Sequence, residues 1–129
     1  MECLREAVRS AFVEGPVEHG EGSAAGRCRF EAAFAGFSGH FPGRPILPAL
    51  VQIMAALHVA ASVWRDLSHE AASVRKAKFL LPVVPGDEIE IHCTRTAVGG
   101  KPGVSARVLL RGETAASFTF TTSPQEGSS

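Results

Sequence analysis

The sequence predicts an α+β domain in which an antiparallel sheet wraps around one long, central α-helix. Three observations predict it. The segment Ala49 to Trp64 is apolar on every side, the later part of the chain alternates apolar and polar residues, and turn-forming residues separate the alternating runs. A helix that is apolar all round must be enclosed by the rest of its domain. Strands with one apolar face must cover that face, and wrapping them around the helix satisfies both needs at once.

The elements follow in order. Between residues 3 and 13, Leu4, Val8, Ala11 and Phe12 fall at helical spacing opposite Arg5, Glu6 and Arg9. That spacing predicts a short amphipathic helix, or a strand at its end. Glu14 to Gly26 is rich in Gly and Glu and is predicted loop, so residues 1–26 form an N-terminal helix and loop. Arg27 to Ala32 alternates polar and apolar residues as a half-buried strand does. A Gly/Pro-punctuated loop from Ala35 to Pro48 then leads into the long helix. Pro48 fits the first helical position, where its missing N–H is no loss.

Within that helix Leu50, Ile53, Met54, Leu57, Ala61 and Trp64 share one stripe. Val51, Ala55, Ala56, Val59 and Ala60 make the other sides apolar as well. After Ala71 the period becomes two: Ile89, Ile91 and Cys93, then Val104 to Leu110, then Ala116, Phe118 and Phe120. The breaks at Pro85-Gly86-Asp87, Gly99 to Gly103 and Arg111-Gly112-Glu113 carry turn chemistry, giving four or five antiparallel strands. Residues 124–129 are expected to fray.

Length and charge exclude several classes. The 129 residues suit a single domain covering the whole chain. Lys+Arg 13 balance Asp+Glu 13, which argues against a broad nucleic-acid or anionic-lipid footprint. Cys3, Cys28 and Cys93 are scattered and form no C-x-x-C pair, so neither a disulfide framework nor a metal site is expected. Charge at Glu2, Arg5 and Glu6 speaks against a signal peptide, and a cytoplasmic protein is expected. The one stretch long enough to span a bilayer, Ile46 to Trp64, contains Pro48, Gln52, His58 and Ser62; a buried helix explains it better.

The chemistry concentrates in Phe37-Ser38-Gly39-His40-Phe41-Pro42-Gly43-Arg44-Pro45-Ile46-Leu47-Pro48-Ala49-Leu50. Proline stiffens both itself and the residue before it, so this loop is rigid. It ends at a helix start, where the N–H groups of Ala49 and Leu50 lack intrahelical acceptors. Those groups are placed to receive a carbonyl oxygen gaining negative charge.

Gly39-His40-Phe41-Pro42, followed by Pro45 and Pro48, resembles the signature of the 3-hydroxyacyl-acyl carrier protein dehydratases, which have the hotdog fold. The stretch Phe79-Leu80-Leu81-Pro82-Val83-Val84-Pro85-Gly86-Asp87 resembles a second segment of the same family. The likeness runs from about Phe30 to Phe120 and implies a hotdog domain that dimerises. It implies that His40 removes the proton alpha to a thioester carbonyl and that the Ala49 N–H binds the carbonyl oxygen. Phe41, Pro48 and Leu50 would line the acyl site, and Arg44 would meet the carrier. The family's acid, a Glu or Asp on the helix, is replaced here by Met54, which cannot transfer a proton. His58, one turn later, is the candidate substitute acid.

The expected function is therefore elimination of water from a 3-hydroxyacyl thioester, in fatty acid or related lipid or polyketide synthesis, to give the 2-enoyl thioester. The thioester would be carried by acyl carrier protein or coenzyme A, with no metal or redox cofactor. Because the family builds its sites across a dimer, an acid-bearing relative could complete the site in a mixed pair, the alternative to a homodimer. Two other readings stand beside this one. The chain is a non-catalytic thioester-binding or partner subunit, or, more weakly, a hotdog thioesterase.

Overall fold

The computed structural model describes residues 4–34, 37 and 45–124. Along them run α1 (Leu4–Ser10), β1 (Phe12–Glu18), β2 (Ser23–Arg29), α2 (Ala49–Val63), β3 (Ala71–Phe79), β4 (Glu88–Val98), β5 (Lys101–Leu110) and β6 (Glu113–Thr122). The strands form one antiparallel sheet in the order β1-β2-β4-β5-β6-β3. Helix α2 packs on its inner face against β1, β2, β4 and β5.

Register explains the core. Cys28 sits opposite Ile89, and Ile89 opposite Leu110; Cys93 sits opposite Ala106, and Ala106 opposite Phe118. Each row is buried, so the period of two read after Ala71 does set the apolar face. Both interior cysteines are free thiols of the core. Two-residue turns at Gly99-Gly100 (φ 58° and 81°) and Arg111-Gly112 (φ 50° and 82°) close the β4–β5 and β5–β6 hairpins. Positive φ at both positions is the type I′ geometry that matches strand twist.

Four expectations need correction. There are six strands, because β1 and β2 occupy most of the segment expected to be loop. Glycine misled the reading: a Cβ on Gly26 would come within 2.8 Å of the Phe12 ring, so this glycine makes room for packing rather than for a turn. Pro48 caps α2 with extended backbone (φ −63°, ψ 152°) instead of occupying its first turn.

The fourth correction concerns which side of α2 is covered. The sheet takes the small-residue side, burying Val51, Ala55, Ala56, Val59 and Ala60. Small side chains let a helix axis approach a close-packed sheet. On the bulky stripe Leu57 and Trp64 are buried, Ile53 and Met54 are half-buried, and Leu50 is 62% exposed. Among the described residues of one chain, then, α2 is not enclosed on all sides.

Candidate active site

His40, Phe41 and Arg44 lie outside the described residues, but the chain on either side of them is anchored. Before them, Phe30, Phe34 and Phe37 form an edge-to-face cluster with ring centroids 4.6 and 5.9 Å apart, and Phe37 is buried. After them, the buried Leu47 donates its N–H to the Val83 carbonyl at 2.7 Å. Gly86 N–H donates to the Phe30 carbonyl at 2.8 Å. Thus the Phe79–Asp87 stretch holds both the approach to the His40 segment and its exit.

That exit delivers the backbone to the start of α2. The Val51 and Gln52 N–H groups fold back on the Pro48 carbonyl at 3.1 and 3.2 Å. Pro48 supplies no side-chain cap, and the Ala49 and Leu50 N–H groups have no acceptor among the described residues. Both residues are exposed. They lie at the positive end of a 15-residue helix, where backbone N–H groups can donate to an oxygen that carries negative charge.

Gln52 belongs to this end of the helix. It is 4% exposed, and its Nε2 donates to the Leu47 carbonyl at 3.2 Å. Its Oε1 has no partner among the described residues. The available signal was a lone amide on an otherwise apolar face, since a buried amide needs partners.

Met54 and His58 come together as their spacing of four requires. With Arg5, Val8, Leu57 and His69 they line a cavity of about 20 Å3, room for a single water. His58 Nδ1 lies 3.5 Å from Ser62 Oγ, and its ring packs on Phe12 with centroids 4.8 Å apart. Burial first, then His69 and Arg9, hold the His58 pKa below the ordinary histidine value. A group so disposed gives up its proton below neutral pH and is mostly uncharged at pH 7.

The two interior thiols are structural. Burial pushes the Cys28 and Cys93 thiols up to about 12, so neither is a nucleophile. Among the described residues no three His, Cys, Asp or Glu side chains cluster as metal ligands. None of their helices is long and apolar enough to cross a membrane.

A family model described as ApeI-like, ApeI dehydratase, matches residues 16–123. The chain belongs to the ApeI-like dehydratase family. Among curated relatives it is 35% identical over 98 residues to the 3-hydroxyacyl-[acyl-carrier-protein] dehydratase FabZ of Ruegeria sp. (strain TM1040), covering 66% of this chain and 60% of that protein. The FabZ of Acidiphilium cryptum (strain JF-5) is 42% identical over 67 residues, covering 46% of this chain and 41% of that protein. The chain thus spans about 60% of the length of FabZ from Ruegeria. Among solved structures, the dehydratase heterocomplex ApeI:P from Xenorhabdus doucetiae aligns with TM-score 0.67 at 24% identity, over 83% of this chain and 96% of that one. The E. coli PaaI protein aligns with TM-score 0.62 at 16% identity, over 90% and 86% of the two chains. The ApeI-like chain therefore has the hotdog fold that its motifs implied.

Proposed function

We propose that this chain dehydrates 3-hydroxyacyl thioesters, carried by acyl carrier protein or coenzyme A, in the cytoplasm. His40 takes the proton alpha to the carbonyl, and charge moves onto the carbonyl oxygen. The Ala49 N–H holds that oxygen while the C3–O bond breaks. The departing hydroxyl takes a proton and leaves as water, giving the 2-enoyl thioester. Phe41, Pro48 and Leu50 line the acyl chain, and Arg44 meets the carrier. No metal or redox group enters the reaction.

The observation that carries this reading is the pair of N–H groups at the start of α2 that have no acceptor among the described residues, two residues beyond Leu47, the nearer anchor of the His40 segment. Membership of the ApeI-like family supports it. The proton for the leaving group has no source at Met54. A positioned acid contributes about 100- to 10,000-fold, so the site needs one from elsewhere. His58 is a weak candidate, because its surroundings hold it uncharged. We therefore favour a site shared by two protomers, with the acid supplied by a relative that carries Glu or Asp where this chain has Met54. Exposed Leu50 and Ile46 at the helix start leave apolar surface for such a second protomer to cover.

The test is turnover of a 3-hydroxyacyl thioester followed by enoyl absorbance, first with the lone chain and then with an acid-bearing relative added. Activity that appears or rises on mixing, and disappears in His40→Ala, is the expected result. Turnover untouched by His40→Ala would remove His40 as base. Met54 favours a second reading, a partner subunit that binds thioesters without turning them over. In that case the lone chain binds but is inert, and Met54→Glu restores activity. Release of free acid instead of enoyl product would mark a thioesterase.

A further inference from the structure

The outer face of the sheet, turned away from α2, carries its charge unevenly. Its residues alternate along β5 and β6 with the buried Val104, Ala106, Val108, Phe118 and Phe120. Toward the start of β4 the charges are paired: Arg27 and Arg29 hold Glu88 at 2.7 and 2.8 Å. Toward the other end hydroxyls and unpaired cations take over. Register lines up Ser23, Thr94, Ser105, Thr119 and Arg75 in one row across β2, β4, β5, β6 and β3. Arg107 stands in a neighbouring row, opposite His92 and Ser117.

Two hollows meet on this face at Ser105. One, of about 210 Å3, has Arg75, Lys76, Ser105 and Thr119 in its wall. The other, of about 230 Å3, has Thr94, Ser105, His92 and Arg107 in its wall. Among the described residues no Asp or Glu lines either hollow. Arg75, Lys76 and Arg107 make no ion pair among those residues either.

The backbone of β3 is shaped to gather these cations. Consecutive strand residues normally face opposite sides of a sheet, yet Arg75 and Lys76 line the same hollow. A bulge is responsible. From Arg75 to Lys78 β3 advances by one residue more than β6 does from Thr119 to Ser117, and Lys76 sits at φ 53°. Bulges re-aim side chains, and a non-glycine residue persists at positive φ only where its surroundings hold it there. Lysine on an edge strand commonly guards against strand addition. Guarding does not account for Arg107, which lies on β5, two strands in from that edge.

A phosphate monoester carries a charge of about −1.5 to −2 at pH 7 and three strong acceptor oxygens. Two adjacent cations beside two hydroxyls match that charge and that number of acceptors, whereas a carboxylate would leave one cation unmatched. We propose that the outer face binds a phosphate-bearing small molecule. Arg75, Lys76 and the Ser105 and Thr119 hydroxyls take its phosphate, and the rest of the molecule extends through the second hollow toward Arg107. This site lies across the sheet from the start of α2 and does not depend on the dehydratase reading.

The test is a titration of the isotope-labelled full chain with inorganic pyrophosphate, followed by amide NMR at about 0.05 M ionic strength, with sodium chloride as the control. The amide signals of Arg75, Lys76, Ser105 and Thr119 should shift and saturate with a Kd below about 1 mM, and chloride should leave them in place. Arg75→Gln with Lys76→Asn removes both cations while asparagine tolerates the positive φ; binding should weaken about tenfold or more. Arg107→Gln should weaken it less. Circular dichroism checks that the variants fold. Shifts that do not saturate, shifts centred on Ala49 and Leu50 instead, or a double variant that binds as tightly as the wild type would overturn the proposal. Coenzyme A in a parallel titration separates two sources of the phosphate. Tighter binding than pyrophosphate at the same amides marks a thioester carrier, and weaker binding marks a free phosphorylated metabolite.

Discussion

The two ends of α2 are finished in opposite ways. The C-terminal end is tied down by several contacts. The Trp64 backbone N–H donates to the Ala60 carbonyl at 2.8 Å, and its indole N–H donates to Glu18 at 3.0 Å. Arg95 lies over the indole, 5.3 Å from the ring centroid, and grips Asp66 with two hydrogen bonds of 2.7 and 2.6 Å. At the N-terminal end Pro48 gives no side-chain cap, and two N–H groups have no acceptor among the described residues. A helix shaped for stability alone would be closed at both ends. The open end is the one on which the proposed oxyanion contact rests.

Substitutions at the closed end should therefore cost stability, and those at the open end should cost activity. The largest effect is expected for Trp64→Ala, which removes a nearly buried indole and its bond to Glu18. Denaturant unfolding should show a loss of about 3 to 5 kcal/mol, with activity per folded molecule retained. At the other end, Ala49→Pro deletes a single N–H. The extended Pro48 backbone accepts a following proline, and the first helical position tolerates one. Melting temperature should stay within a few degrees while turnover falls about 100- to 1,000-fold, the loss typical of one oxyanion donor. Ala49→Gly keeps the N–H and should keep the activity. A proline variant as active as wild type would show that the open end is open for some other reason.

Gln52→Leu sharpens the comparison, because Gln52 sits at the open end yet is buried. It leaves the Leu47 carbonyl without its amide partner, at a cost of about 1 to 3 kcal/mol. If Gln52 positions the segment between His40 and the helix, kcat should fall more than KM rises. A purely structural role would lower stability and leave kcat alone.

Legibility from sequence divided along the same lines. The period of two in β4, β5 and β6 was readable because each strand has one buried and one wet face. The helix was readable from its apolar run, but which face met the sheet was not. Hydrophobicity marked every side of the helix as buried, whereas close approach selected Ala55, Ala56 and Ala60 for the sheet and left Leu50 exposed. β1 and β2 were missed because Gly26 serves the Phe12 ring from a position that composition assigns to a loop. The role of Gln52 was hidden because its partner is a backbone carbonyl, which carries no residue type. His40, Ala49 and Met54 were legible only through the motif, since spacing alone does not tell a base from a loop histidine.

The smallest effect lies midway along α2 and concerns pH. His58 and His69 stand with ring centroids 6.3 Å apart, near Arg5 and Arg9, with Met54, Phe12 and Ser62 as their other neighbours. Burial first, then the neighbouring cations, lowers both histidines below the ordinary value. The unfolded chain therefore takes up these protons at a higher pH than the folded chain does. Stability is fully present above about pH 6.5 and is lost as pH falls through the lower folded values. Asp66 is lowered too, chiefly by its hydrogen bonds from Arg95, but its loss belongs below about pH 4 and stays separate. Between about pH 7 and 5 the melting temperature should fall, and His58→Gln should flatten that fall by removing one of the two protons. Both rings are partly exposed, so solvent screens the effect and a slope of a few degrees is expected. A variant profile parallel to the wild type would mean that the cluster is too well hydrated to act, and that α2 is sensitive only at its ends.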